Sequence, residues 1–208
     1  MKNLELDNIF IPAKVPSKKL MIVLHGRGDS SEGFTGLAPF LDIDEMNYIL
    51  LDAPFEYYTG YSWYSLPPNQ LPGIEYSSNI LTKILDELFK EDFNAHESFL
   101  FGFSQGALLT FEFGARYNKV LAGYIAVSGY IYDVEKLLHD NNPNVKNSHW
   151  LCTHGINDDV LPFEQSKQQI EKLHDNGFEV EFKAYDKDHS IDRDELEMIS
   201  QWVRNILY

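Results

Sequence analysis

The pentapeptide Gly102-Phe103-Ser104-Gln105-Gly106 has the G-x-S-x-G pattern of a serine nucleophile. It directly follows a buried-strand run, Ser98–Phe103, and directly precedes a helical run, the setting such a nucleophile needs. A strand-to-helix turn this tight strains the serine and crowds the positions two before and two after it, where this chain has glycine. The turn projects the Ser104 hydroxyl at a helix N-terminus, where backbone N–H groups stabilise developing negative charge. The bland alternative is a glycine-rich loop that packs a helix on a strand.

A hydroxyl nucleophile needs a base, and the base needs an orienting carboxylate. Two strands after the serine comes Trp150–Thr153, which runs into His154-Gly155-Ile156-Asn157-Asp158-Asp159-Val160-Leu161-Pro162. A carboxylate in that loop reaches the same sheet rim as Ser104. The next strand, Phe178–Tyr185, runs into Asp186-Lys187-Asp188-His189-Ser190 and returns to that rim. His189 is therefore the expected base, and Ser, Asp and His follow in the order this chemistry uses on a parallel sheet. His25 precedes the nucleophile, in the wrong order for a base, and His154 reads as a turn residue. No group of histidines has ligand spacing, so no metal is expected.

The oxyanion of acyl transfer needs two preorganised donors. The Gln105 amide, at the start of the helix, is one. The other is expected from Leu24-His25-Gly26-Arg27-Gly28-Asp29, whose glycines let amides turn toward the site. G-x-G-x-x-G spacing is absent there, which argues against a dinucleotide. The stretch Ala53–Tyr76 carries Tyr57, Tyr61, Trp63, Tyr64 and Leu66. Trp63 and Leu66, with Leu161 of the acid loop, are expected to wall an apolar substrate pocket. A self-packed loop or an oligomer contact would explain the same aromatics.

These residues require a frame. Short apolar runs at Leu20–Leu24, Tyr48–Leu51, Ser98–Phe103, Leu121–Val127 and Trp150–Thr153 read as strands covered on both faces. Phe178–Tyr185 alternates like an edge strand, and Leu4–Ile11 is expected to pair antiparallel at the other edge. Helical periods cover Ser77–Lys90, Gln105–Tyr117, Phe163–Asn176 and Asp192–Ile206. The alternation predicts an α/β fold: a mostly parallel central sheet with helices on both faces. The 208 residues fit a single domain spanning 1–208.

Composition narrows the partners. With 17 Lys and Arg against 32 Asp and Glu, the net charge is −15, so phosphate backbones and anionic membranes are repelled and nucleic acid is not expected. One cysteine, Cys152, cannot close an intramolecular disulfide. No apolar run has the length of a signal peptide core or a membrane span, which predicts a cytoplasmic protein without stable membrane insertion.

Together, LHGRGDS (24–30), Ala53-Pro54 with Ser62-Trp63-Tyr64, GFSQGA (102–107), SGY (128–130), HGINDDVLP (154–162) and DHS (188–190) resemble the phospholipase/carboxylesterase family of α/β-hydrolases, which includes acyl-protein thioesterases. The similarity runs over residues 20 to 204. It implies an α/β-hydrolase without a large cap domain, cleaving carboxylic ester or thioester bonds with no cofactor; an aromatic wall with no cap would favour short to medium acyl chains. It implies Asp158, four residues after the histidine of HG, as the acid, and the amides of Arg27 and Gln105 as oxyanion donors. Small-molecule or acylated-protein substrates are implied, and a homodimer is an assembly the resemblance allows. Arg27 departs from the apolar residue usual at its place, and Asp188 adds a charge beside the base. Competing readings are a peptidase or cofactor-free haloperoxidase on the same scaffold, and a non-catalytic lipid- or ligand-binding protein.

Overall fold

The computed structural model describes residues 4–91 and 93–208. Seven strands build the main sheet: β1 (Asn8–Ile11), β2 (Lys19–Leu24), β3 (Met46–Leu51), β6 (Ser98–Phe103), β7 (Gly123–Val127), β8 (His149–Gly155) and β9 (Val180–Tyr185). Their spatial order is β1-β3-β2-β6-β7-β8-β9. Every neighbouring pair is parallel except β1 with β3, where Asn8 stands opposite Leu51. Two further strands, β4 (Phe55–Tyr57) and β5 (Gly60–Ser62), form a separate small hairpin.

Strand side chains alternate between faces, and the apolar runs therefore feed two cores. Leu20, Ile22 and Leu24 of β2 join one, with side chains from α2 (Leu71–Glu91), α3 (Gln105–Gly114), α4 (Val134–Asp140) and α5 (Phe163–Asp175). Met21 and Val23 join the other, against α1 (Leu37–Leu41) and α6 (Arg193–Leu207). Helices thus cover both faces, and among the described residues no cap domain is inserted over the sheet. The two edge strands expected from the sequence stand at opposite ends, as β1 and β9.

Some boundaries differ from expectation. The helix read as Ser77–Lys90 begins six residues earlier, at Leu71. Pro72 and Gly73 conceal that start in the sequence, yet first-turn amides lack intrahelical partners, so proline costs nothing there. The aromatic stretch after Ala53 is correspondingly shorter and contains the β4–β5 hairpin. The polar stretch 129–147 holds α4, capped by the Asp133 side chain on the Lys136 amide.

Helix α3 starts in close contact with the sheet. A Cβ at Gly106 would be driven into the Leu24 carbonyl of β2, and one at Gly102 into the Gly106 carbonyl. Gly106→Ala should destabilise the fold by about 3 kcal/mol or more by overpacking against rigid backbone. Gly36, with right-handed φ and no atom within 4 Å of where an alanine methyl would sit, is the control. Gly36→Ala should leave stability unchanged or raise it by roughly 0.5 kcal/mol. Chemical denaturation of both variants checks the contrast.

Candidate active site

Loops that follow β2, β6, β7, β8 and β9 at the carboxyl edge of the parallel strands, with the segment around the β4–β5 hairpin, converge on one recess of about 430 Å³. Ser104 follows β6 at once and takes φ 54° and ψ −111°, a left-handed conformation that a side chain tolerates only under constraint. Its amide donates to the Val127 carbonyl of β7 at 3.0 Å, and its carbonyl accepts from Leu108 at 3.1 Å. The turn is thereby pinned on both sides, with the hydroxyl facing outward.

His189, four residues beyond β9, places Nε2 2.9 Å from Ser104 Oγ. Its Nδ1 lies 2.7 Å from Asp158 Oδ2. The other Asp158 oxygen accepts from the Leu161 amide at 2.8 Å and the Val160 amide at 3.0 Å. Burial pushes the Asp158 pKa upward, but the Leu161 amide, His189 and the Val160 amide outweigh it, and the pKa falls below the ordinary 3.8. Asp158 is buried, whereas Asp159 and Asp188 are exposed, and among the described residues neither hydrogen-bonds His189. Phe103 packs against the imidazole, ring centres 5.2 Å apart.

The imidazole loop is anchored from beneath. Lys187 Nζ donates to Glu195 Oε2 and to the Ser190 carbonyl, both at 2.5 Å, and both charged side chains are buried. Nothing in the sequence singles out this pair, because Lys and Glu are surface residues by type.

Arg27 and Gln105 line the recess beside Ser104 and His189. Among the described residues, neither backbone amide donates to a protein acceptor, so both are free for a bound oxyanion. The Arg27 amide is aimed by its own peptide plane. His25 Nδ1 lies 2.6 Å from the Gly26 carbonyl, while His25 Nε2 accepts from the Ala53 amide at 3.1 Å. That acceptor role fixes the proton on Nδ1, which donates to Gly26. The Arg27 N–H, on the opposite side of that trans peptide, is held in place. Burial holds the His25 pKa below 6.5, so the ring is neutral at pH 7.

Leu66 and Leu161 line the recess, with Tyr57, Tyr64, Tyr130 and Val160. Trp63 does not, which corrects the expectation that it walls the pocket: its side chain is wholly buried. Its indole N–H donates to the His25 carbonyl at 2.9 Å, and its amide donates to Gln105 Oε1 at 3.0 Å. Gln105 Oε1 also accepts from Ser62 Oγ, and its Nε2 donates to the Tyr64 carbonyl at 2.8 Å. Burying an indole is favourable only where its N–H finds an acceptor, and the bent loop at His25 supplies one.

The described residues contain no cluster able to hold a metal, and no helix among them is long and apolar enough to cross a membrane.

A parallel sheet with a strained serine after a central strand, and acid and base loops after two later ones, defines the α/β-hydrolase class. The family model for phospholipase/carboxylesterase matches residues 7–207, and the chain belongs to that family. A carboxylesterase of Arabidopsis thaliana, SOBER1, is 27% identical over 92% of each chain. Acyl-protein thioesterase 1 of Candida albicans is 25% identical over 98% of this chain and 99% of its own. The crystal structure of esterase PE8 superposes with a TM-score of 0.89 at 28% identity, covering 98% of this chain and 100% of that one. The protein is a hydrolase of the esterase or thioesterase kind.

Trp63→Phe keeps the ring but leaves the buried His25 carbonyl without its donor. It should cost about 1–3 kcal/mol of stability. It should also lower kcat on a p-nitrophenyl ester more than it raises KM, because the defect lies beneath the Arg27 and Gln105 amides rather than in the pocket wall. Denaturation curves and steady-state kinetics on one preparation check both effects.

Proposed function

We propose that the protein hydrolyses carboxylic esters or thioesters of short to medium acyl chains through an acyl-enzyme on Ser104. The observation that carries this reading is the unbroken relay from Ser104 Oγ through His189 to Asp158. His189 Nε2 takes the hydroxyl proton as Oγ attacks the carbonyl carbon. The Arg27 and Gln105 amides hold the resulting oxyanion, and Asp158 steadies the imidazolium. Collapse breaks the bond to the leaving oxygen or sulfur, which leaves with the proton from His189. Water then attacks the acyl carbon, gives a proton to His189, and the second collapse returns it to Ser104 and frees the carboxylic acid.

Its low pKa keeps Asp158 ionised throughout the neutral range, as the orienting role requires. Leu66, Val160 and Leu161 offer an apolar wall to the acyl chain, and without a cap a long chain stays largely uncovered. Acylated proteins, lysophospholipids, xenobiotic esters and acyl-thioester metabolites share this carbonyl chemistry.

Ser104→Ala should lower kcat on p-nitrophenyl butyrate by on the order of 10⁵ to 10⁶ and abolish labelling by a fluorophosphonate probe. Asp158→Asn should lower kcat by about 10⁴ by favouring the wrong imidazole tautomer. Asp159→Asn should change it less than about twofold, since that side chain faces solvent. Near wild-type turnover by Ser104→Ala would refute the assignment.

Chain length supplies a separate check. Across p-nitrophenyl esters from acetyl to palmitoyl, kcat/KM should peak at short to medium chains. A steady rise to palmitoyl would contradict the shallow, uncovered wall.

A further inference from the structure

Arg27 is unlike the other arginines of this chain. Arg116 pairs with Glu112, Arg193 with Glu197, and Arg204 donates to the Leu41 and Asp42 carbonyls. The Arg27 guanidinium has no hydrogen-bond or ion-pair partner among the described residues, in a chain with 32 acidic side chains. It is held instead by stacking: its Cζ lies 4.1 Å from the centre of the Tyr57 ring. Tyr57 meets Tyr58 edge-on, ring centres 4.6 Å apart.

The backbone defines that position. Gly28, at φ +82°, donates to the Tyr61 carbonyl at 2.7 Å, and the Tyr61 amide donates to the Asp29 carbonyl at 2.9 Å. The β4–β5 hairpin is thereby clamped to the loop that carries the Arg27 amide. One short segment thus brings a candidate oxyanion donor and a stacked, donor-rich cation to the same mouth. Among the described residues, Arg27 is the one Lys or Arg lining the recess. It is also the one lining the adjoining hollow of about 510 Å³ between Tyr57, Leu66 and Tyr76.

Two acids share these hollows, Asp29 in the recess and Glu56 in the adjoining one, and neither pairs with Arg27. Asp29 turns its carboxylate back onto its own loop, where Oδ1 accepts from the Ser30 amide at 2.8 Å. Glu56 of β4 lines the adjoining hollow with Arg27, yet among the described residues it forms no hydrogen bond or ion pair with the guanidinium. A guanidinium whose carbon rests over an aromatic ring and whose N–H groups have no protein acceptor keeps donors available that match a carboxylate or phosphate.

We infer that Arg27 is a specificity-determining residue that selects esters or thioesters carrying a second anionic group, a carboxylate or a phosphate, a few bonds from the scissile carbonyl. This rests on the reading of Ser104, His189 and Asp158 given above. The anion docks against the guanidinium edge while the neighbouring amides receive the oxyanion, so the charge orients the carbonyl as well as attracting the substrate. A net charge of −15 opposes anions at long range, and the selection is therefore local to this mouth.

The test compares paired substrates in wild type, Arg27→Leu and Arg27→Lys. The acyl-side pair is p-nitrophenyl hydrogen adipate against p-nitrophenyl hexanoate. The leaving-group pair is S-butyryl-3-mercaptopropionate against S-butyryl-3-mercaptopropionamide. For each pair the readout is the ratio of kcat/KM, anionic over neutral, so a general change in activity cancels. In one pair the ratio should fall about 10-fold in Arg27→Leu and recover partly in Arg27→Lys, and the pair that responds locates the anion. In wild type the same ratio should fall toward the Arg27→Leu value in 1 M NaCl. Ratios unchanged by the leucine variant in both pairs, while the wild type labels with a fluorophosphonate and turns over the neutral esters, would overturn this inference alone. Absence of labelling and turnover in wild type would overturn the hydrolase mechanism and this inference with it.

Discussion

The closeness of α3 to the sheet is the constraint from which the site follows. Glycines at 102 and 106 let the helix start against β2 and β6 with backbone nearly touching backbone, and Ser104 between them has no relaxed conformation available. A serine in a left-handed turn costs about 1–3 kcal/mol, and such a cost persists only where neighbours over-determine the geometry. Here the β7 carbonyl at Val127 and the first turn of α3 do so. The strain is set by the fold and not by the reaction. The hydroxyl stands clear of the sheet before any substrate arrives, and the Gln105 amide points out of the helix end beside it.

The Arg27 amide, the other candidate oxyanion donor, is held by a different device. Trp63, Gln105 and His25 form a buried polar knot of mutually satisfied donors and acceptors. Its members come from the loop after β2, the segment after β5 and the first turn of α3, three pieces of chain far apart in sequence. The two amides are therefore referenced to each other through side chains rather than through either loop alone. In a low-dielectric setting such a knot is rigid when complete and costly when one member is missing. That explains why a tryptophan beside the site contributes no surface to it.

Much of this is legible in the sequence. Apolar runs alternating with helical periods carry the layered sheet because both faces of each central strand must be covered. The nucleophile turn is legible because its glycines answer a steric demand that is local in the chain. Trp63 escapes such reading because the β4–β5 hairpin is too short for periodicity to separate inside from outside; a hydrogen bond to the remote His25 carbonyl decides its burial. The early start of α2 is hidden by Pro72 and Gly73, residues that normally signal a break. Lys187 and Glu195 are invisible for a related reason, since residue type alone places charges at the surface, and only the closed geometry of the His189 loop shows them paired.

That buried pair shows how the third arm of the relay is kept in register. Glu195 closes the capping box of α6: its amide donates to Asp192, and its carboxylate accepts from the Asp192 amide while also receiving Lys187. The start of α6 and the His189 loop are thus joined through one carboxylate. Desolvating two charges is expensive, and a hydrophobic pair of similar size would often be at least as stable. What an apolar pair lacks is direction. Lys187 reaches both Glu195 and the Ser190 carbonyl, so it fixes backbone on the far side of His189 while its own carbonyl accepts from Asn157 in the acid loop. The acid loop and the base loop are tied together by the residue two before the imidazole, which keeps His189 between Asp158 and Ser104 although none of the three is adjacent in the chain.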